Sequence, residues 1–286
     1  MAAPPASGRY PWAMTRRRDI DRHVTALTQI SGVMGSMKKL AQMEGYKVER
    51  LLLPQRMALA NIRRAAADFH STWPLPIAPP TEETAKVYVI WGSERGFCGD
   101  FNQRLVSELE RLHLQDASDN TVRIVIGRRC AAALQQRVPA DHVLPGAGIV
   151  DEIPHVLGDL LEILAGLAPD ALNVLSHHSE TGAISQTRVL PPELQVEDTL
   201  NFRTPILLNL KPEAFLRELL DHYLFAILHE LAYESLLAEC RYRMQHLESA
   251  GRRIDERIAR LKLRRNTLRQ EEITEELEII LLNAPG

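Results

Sequence analysis

Cysteine is scarce in this chain: Cys98, Cys130 and Cys240 are the only three in 286 residues, and they lie far apart. That excludes a disulfide framework and a CxxC-type metal site, and it fits a reducing cytosol. Long apolar runs are also missing. None approaches the roughly 20 residues that a bilayer span requires, so no direct membrane insertion is expected. A strong net charge is absent too. At −3 there is no global field to draw the chain to nucleic acid or to an anionic membrane. The first residues are rich in Ala and Pro without an apolar centre, so they do not read as a signal peptide. They read as a disordered extension over 1–14, with Met14 as a second candidate start.

Catalytic signals are equally thin. Val87 to Trp91 reads as a strand that runs into Gly92, Gly96 and Gly99, the place where an open α/β sheet would bind a nucleotide. No Gly-Lys-Ser/Thr follows, and the spacing is not GxGxxG, so the phosphate-cradling lysine and the magnesium-binding hydroxyl are lacking. The glycines read as a tight strand-to-helix turn. His177 and His178 have Glu180 close by, but no further ligands stand at metal-binding spacing. They read as surface or edge histidines. No Ser/His/Asp or Cys/His set has any cue beyond the residue types themselves. The chain is expected to be no enzyme on its own and to need no cofactor or metal.

What is present is helix. Ile20, Val24, Leu27, Ile30, Met34, Met37 and Ala41 recur at steps of three and four. Pro54 should kink or break this first helix. Trp73 to Pro80 reads as a proline-rich linker. From Pro212 no proline occurs until Pro285, and Leu247, Ile254, Leu261 and Leu268 recur every seven residues, with Met244 and Ile258 supplying part of the second heptad position. That is coiled-coil periodicity, and the first helix is the natural partner. Between the helices, strands at 87–91, 122–126, 171–176 and 187–190 alternate with helices at 101–112, 128–136 and 156–167. This pattern implies a mainly parallel, doubly covered sheet. Residues 205–210 read as a short strand or linker.

The fold class expected is therefore α/β: a long antiparallel coiled coil from the terminal helices plus a central Rossmann-like α/β domain. The expected divisions are a shaft helix over 15–72, an α/β domain over 81–204 and a second shaft helix over 210–284. The basic run from Arg252 to Arg269 reads first as a solvated helix face, and second as a basic shaft turned toward acidic partners. Near the end, Asn266, Arg269, Gln270, Thr274 and Glu276 stand beside Ile273, Leu277, Ile279, Ile280, Leu281 and Leu282. So apolar a tip should sit in a sleeve made by another protein.

Three stretches together resemble the gamma subunit of the F-type ATP synthase. Ser93-Glu94-Arg95-Gly96-Phe97-Cys98-Gly99-Asp100-Phe101-Asn102 is similar to the family's S-D-R-G-L-C-G-G-x-N. Glu234-Ser235-Leu236, with Glu239 through Arg243-Met244, resembles E-S-L-A-S-E-x-x-A-R-M. Asn266 to Leu277 resembles N-K-x-R-Q-x-x-I-T-x-E-L. The order and separations fit, and the likeness runs from about Met14 to the end. In the first helix, Met37 takes a family methionine's place, while Thr28, Gln29, Ile30 and Gly32 replace the family's polar residues, and Asp100 replaces a glycine. These departures point to a divergent branch, such as the alternative, N-type bacterial form associated with sodium.

The resemblance implies a rotor shaft that couples transmembrane proton or sodium flow to ATP synthesis or hydrolysis. It implies partners in the alpha and beta ring, the epsilon subunit and the membrane c-ring, and a peripheral position on the cytoplasmic face of a bacterial inner membrane. By the same resemblance, Met37, Arg243, Arg269, Gln270, Thr274 and Glu276 are the candidate coupling contacts. Two other readings stand beside it. One is a static helical scaffold with an α/β docking domain. The other is a nucleotide-dependent enzyme built on residues 81–200.

Overall fold

The structure is a computed structural model that describes residues 11–73, 85–115, 121–135, 137–192 and 207–283. The expected linker at 74–80 and residues 1–10 of the expected extension lie outside these. The chain divides into two compact units: residues 1–39 with 247–286, and residues 40–246. Two long helices run through both, α1 (Pro11–Thr72) and α5 (Pro212–Leu282). Each begins on a proline, whose missing N–H is no loss at a first helical position.

In the first unit, α1 and α5 form an antiparallel pair. Arg17 pairs with Glu272 at 2.6 Å, Asp21 with Arg265 at 3.4 Å, and Lys38 with Glu248 at 3.1 Å, while Ser31 donates to Asp255 at 3.2 Å. Residue numbers fall along α5 as they rise along α1. The covered positions follow the heptads: Ile20, Val24, Leu27, Met34 and Met37 on one helix, Leu247, Ile254, Ile258, Leu261 and Leu268 on the other. Leu247 and Ile258 are buried and the rest half-buried, as expected of a two-helix seam with water on both sides. The basic run between Arg252 and Arg269 is mostly exposed, with Arg252 held by Glu248 and Arg265 by Asp21.

Pro54 does not interrupt α1. It faces solvent, so the carbonyl that loses its helical N–H partner is open to water, and Leu52 and Leu59 on the opposite face are buried in the core. Gln55 also donates to the Ala226 carbonyl of α5 at 2.9 Å, tying this turn down.

The second unit contains a five-stranded sheet in the order β3-β2-β1-β4-β5. The strands are β1 (Lys86–Trp91), β2 (Thr121–Ile126), β3 (His142–Leu144), β4 (Ala171–His177) and β5 (Ile184–Leu190). The first four are parallel, and β5 runs antiparallel to β4. The helices are α2 (Phe101–Gln115), α3 (Arg128–Leu134) and α4 (Ile153–Leu167). The start of α4 precedes the expected one by a full helical turn because Pro154 fits its first turn. Two elements depart from the sequence reading. β3 is a three-residue edge strand, too short to show alternation. β5 begins at Ile184, before the expected Thr187, because polar residues on its outer face hide its start in the sequence. Residues 207–211 form no strand, which leaves the linker reading of that stretch.

Strand alternation sorts the core into two layers. Val87, Val89, Trp91, Ile124, Ile126, Leu172 and Val174 face α4, the α5 residues Tyr223, Ile227 and Leu228, and Val48, Leu52 and Leu59 of α1. Ile90, Val125 and Leu175 face the other way, onto Phe101, Leu105 and Leu109 of α2 and Cys130 and Leu134 of α3. At the end of β1, a Cβ on Gly92 would lie 2.1 Å from the Cys130 Cβ, so strand and helix approach more closely than any side chain permits. Gly99 has φ +61, which favours glycine. Gly96 has room for a Cβ, with its nearest neighbour atoms at 3.8 Å on Arg129. Gly92→Ala is expected to destabilise the chain by about 2 kcal/mol through overpacking, read as a lower urea midpoint at unchanged slope, whereas Gly96→Ala should shift that midpoint little.

Candidate partner-contact surfaces and their internal clamp

The loop after β1 sits at the carboxyl ends of the parallel strands, beside the point where strand order reverses between β1 and β4. Its polar groups are engaged by α5. The Glu239 carboxylate accepts long bonds of 3.4 Å from the backbone N–H groups of Glu94 and Arg95. Arg243, one turn on, pairs with Glu239 and donates from Nε to the Gly96 carbonyl at 3.2 Å. Ser235 donates to the Trp91 carbonyl at 3.3 Å. Within the loop, Asn102 accepts from the Ser93 N–H at 3.0 Å and donates to the Ser93 hydroxyl at 2.8 Å. The anion held by this loop is thus the protein's own carboxylate.

Arg243 and Glu239 are 5% and 3% exposed. Burial pushes Glu239 up to about 7 against the pull of Arg243 and the two loop N–H groups. Burial likewise drives the Cys98 thiol to about 11. A second acidic residue of α5, Glu234, accepts from the Ser179 N–H at 3.1 Å and pairs with Arg56 of α1, which also reaches Glu230 at 3.7 Å. Burial works to raise the Glu234 pKa, but the Ser179 bonds and the Arg56 guanidinium outweigh it and hold it below the ordinary carboxylate value. Glu44 of α1 is buried in the same way and accepts from the Val150 N–H at 2.6 Å.

The six residues singled out from the sequence therefore fall into different settings. Arg243 belongs to the second unit and is spent inside it. Met37, in the first unit, is half-buried on the α1 seam. Arg269, Gln270, Thr274 and Glu276 are all exposed on α5 in the first unit, and the Thr274 hydroxyl donates to the Gln270 carbonyl at 3.0 Å. Around them Ile273, Leu277, Ile280, Leu281 and Leu282 are 46%, 54%, 64%, 75% and 85% exposed. The structure also brings together two of the three sequence motifs, the Ser93–Asn102 loop and the Glu234–Met244 strip. The third lies in the first unit. Sequence reasoning missed Glu239, Glu234 and Glu44 as organisers. The available signal was three carboxylates placed on otherwise apolar helix faces. His177 was also misread: it is fully buried, because β4 carries it between α2 and α5.

A family model described as ATP synthase matches residues 16–282. Two curated relatives, each named ATP synthase gamma chain, come from Halothermothrix orenii and from Anaeromyxobacter sp. strain K. The first is 24% identical over 94% of this chain and 98% of its own length. The second is 27% identical over 92% and 96%. The chain belongs to the ATP synthase gamma family.

Among solved structures, the Euglena gracilis mitochondrial ATP synthase rotor matches this gamma chain with a TM-score of 0.62, covering 91% of it and 99% of the other chain at 14% identity. A second Euglena gracilis structure, described as OSCP/F1/c-ring, matches with a TM-score of 0.64 over 93% of each chain at 14% identity. These share its fold. As a gamma chain it is a non-catalytic subunit.

Two outcomes follow for the clamp. Glu239→Ala leaves Arg243 buried without its partner and should cost roughly 3–5 kcal/mol, measured by equilibrium unfolding. Glu234, with its folded pKa depressed, stabilises the fold above the unfolded value of 4.5, and that contribution is lost as pH falls through the lower folded value. Hydrogen exchange at the Ser179 amide should therefore accelerate selectively below about pH 4.5, and Glu234→Gln should remove that pH dependence.

Proposed function

We propose that this gamma chain acts as the central rotor shaft of an ATP synthase, with the exposed end of α5 as its contact with the surrounding ring. The observation that carries this is the run from Ile273 to Leu282. Its large apolar side chains are exposed throughout, on a helix that continues past its last described side-chain partner on α1, Arg17 with Glu272. A stretch this apolar left in water would be an aggregation hazard, so it requires a cover that the described residues do not supply.

The partners are the alpha and beta subunits around the shaft, with epsilon and the membrane c-ring meeting the α/β domain. The chain sits peripherally, on the cytoplasmic face of a bacterial inner membrane, and no described helix is long and apolar enough to cross that membrane. Domains divide at the linkers expected from the sequence: shaft helices over 15–72 and 210–284, and an α/β foot over 81–204. Coupling is mechanical. An asymmetric shaft makes different contacts with each of three equivalent partner sites and so biases their equilibria.

Within this scheme Arg269, Gln270, Thr274 and Glu276 touch the ring directly. Arg269 suits that role because a planar guanidinium holds a carboxylate or carbonyl pair in a defined orientation. Met37 and Arg243 contribute from inside, Met37 by filling the seam and Arg243 by fixing the loop against α5. Replacing Arg269 and Gln270 together by alanine should leave the thermal unfolding of the isolated chain unchanged, since both side chains are exposed, and should lower ATP-driven ion pumping per ATP hydrolysed in the assembled enzyme. Pumping at the unaltered ratio would contradict this assignment of the tip.

A further inference from the structure

One residue in the turn between β4 and β5 is held by both long helices. Ser179 is buried, at 5% exposed. Its N–H donates to Glu234 Oε2 at 3.1 Å, and its carbonyl accepts from Arg241 Nη1 at 2.7 Å. Both of those side chains belong to α5, and each has a second end that reaches α1. Glu234 Oε1 pairs with Arg56, and Arg241 Nη2 pairs with Glu49 at 2.7 Å. Glu234 and Arg241 stand seven residues apart on α5, as do Glu49 and Arg56 on α1. Seven residues make two helical turns, about 10 Å of axis. Two ion pairs thus bridge the antiparallel helices at matching heights, with their charges in opposite order, and both bend to the same residue of the turn.

Helix pairing alone does not require this. The Glu49 and Arg241 side chains are 43% and 32% exposed, and a pair so placed adds little stability. What the arrangement adds is a division of roles. A carboxylate has two oxygens and a guanidinium a rigid fork of donors. Here one end of each serves a helix while the other serves Ser179. Given the rotor role argued above, we propose that Glu234 and Arg241 are positioning residues that pin the α/β domain to α1 and α5 together at Ser179. A turning force on the domain then enters both helices at once.

Apolar faces attract without direction and resist sliding weakly, so such a joint depends on polar anchors. The other anchors lie elsewhere. Glu239 and Arg243 of α5 hold the loop after β1, and Glu44 of α1 holds the Val150 N–H after β3. Ser179 follows β4, on the opposite flank of the sheet from β3. On that flank Tyr242 adds a bond from its hydroxyl to the Gly182 carbonyl at 3.1 Å, but Tyr242 belongs to α5 and brings no link to α1. The forks of Glu234 and Arg241 supply that link.

Alanine variants at the two ends of one pair test the joint. In the free chain, Arg241→Ala removes both the pair and the Ser179 bond, whereas Glu49→Ala removes the pair only. Amide exchange at Ser179, Gly182 and Ala183 should accelerate about fivefold or more in Arg241→Ala, as for a lost hydrogen bond to a charged group. It should change much less in Glu49→Ala. Equal acceleration in both variants, or none in either, would overturn the hold on the turn. The second readout is the thermal angular spread of a probe on the α/β domain, in the complex held by its alpha and beta ring. Both variants cut a link between the domain and α1, so both should widen the spread, Glu49→Ala without appreciably moving the urea midpoint of the free chain. An unchanged spread in an assembled complex would overturn the proposal. A wild-type chain that joins no ring would instead contradict the rotor reading, and the exchange comparison would still decide the hold on Ser179. Should Arg241→Ala not fold, Arg241→Met, which keeps the aliphatic stem, takes its place.

Discussion

A long helix cannot bury an apolar stripe by itself, and α5 carries such a stripe over most of its 71 residues. Folding is organised around covering it. Tyr223, Ile227, Leu228, Leu231 and Leu236 are covered by the sheet layer and by Val48, Leu52 and Leu59 of α1. From Leu247 onward the cover among the described residues is the seam of α1, and burial weakens accordingly, from Leu247 at 2% exposed and Ile258 at 9% to half-buried Leu261 and Leu268. Beyond Glu272 the stripe is uncovered. The same physical requirement that builds the fold thus leaves an end that calls for another protein.

Polar side chains fix which way α5 lies on the sheet. Apolar burial is non-directional and tolerates sliding, whereas Glu234, Ser235, Glu239 and Arg243 each meet a backbone group of the sheet-end loops. A shift of one helical residue would leave several buried charges unpaired, at a cost of several kcal/mol each. The same constraint shapes the nucleotide-like turn. The loop N–H groups that would cradle a phosphate are occupied by Glu239, and the crevice at the strand-order reversal is roofed by α5.

Much of this was legible in the residues. Heptads announced the pairing of α1 with α5, and alternating strands and helices announced the sheet. The errors share one cause, tertiary context overriding a local signal. Pro54 could have broken α1, but the helix runs on past it because it sits on a wet face. The edge strand His142–Leu144 exists through pairing with β2, not through its own pattern. His177 looks polar in sequence, yet lies at the end of β4 where α2 and α5 close over it. Arg243 shares a resemblance-derived role with Arg269, but one is enclosed and the other exposed, a difference that residue type cannot reveal. The acidic residues on apolar helix faces were the readable clue that went unused.

The central claim is that α5 ends in a sleeve made by other chains. The most direct measurement is the mass of the complex recovered when this chain is co-expressed with the alpha and beta subunits from the same genome. The account predicts one copy of this chain within a ring of three alpha and three beta subunits, with Leu277 to Leu282 protected from exchange in the complex. Alpha and beta assembling without it, or a complex that leaves those residues as exchangeable as in the free chain, would contradict it.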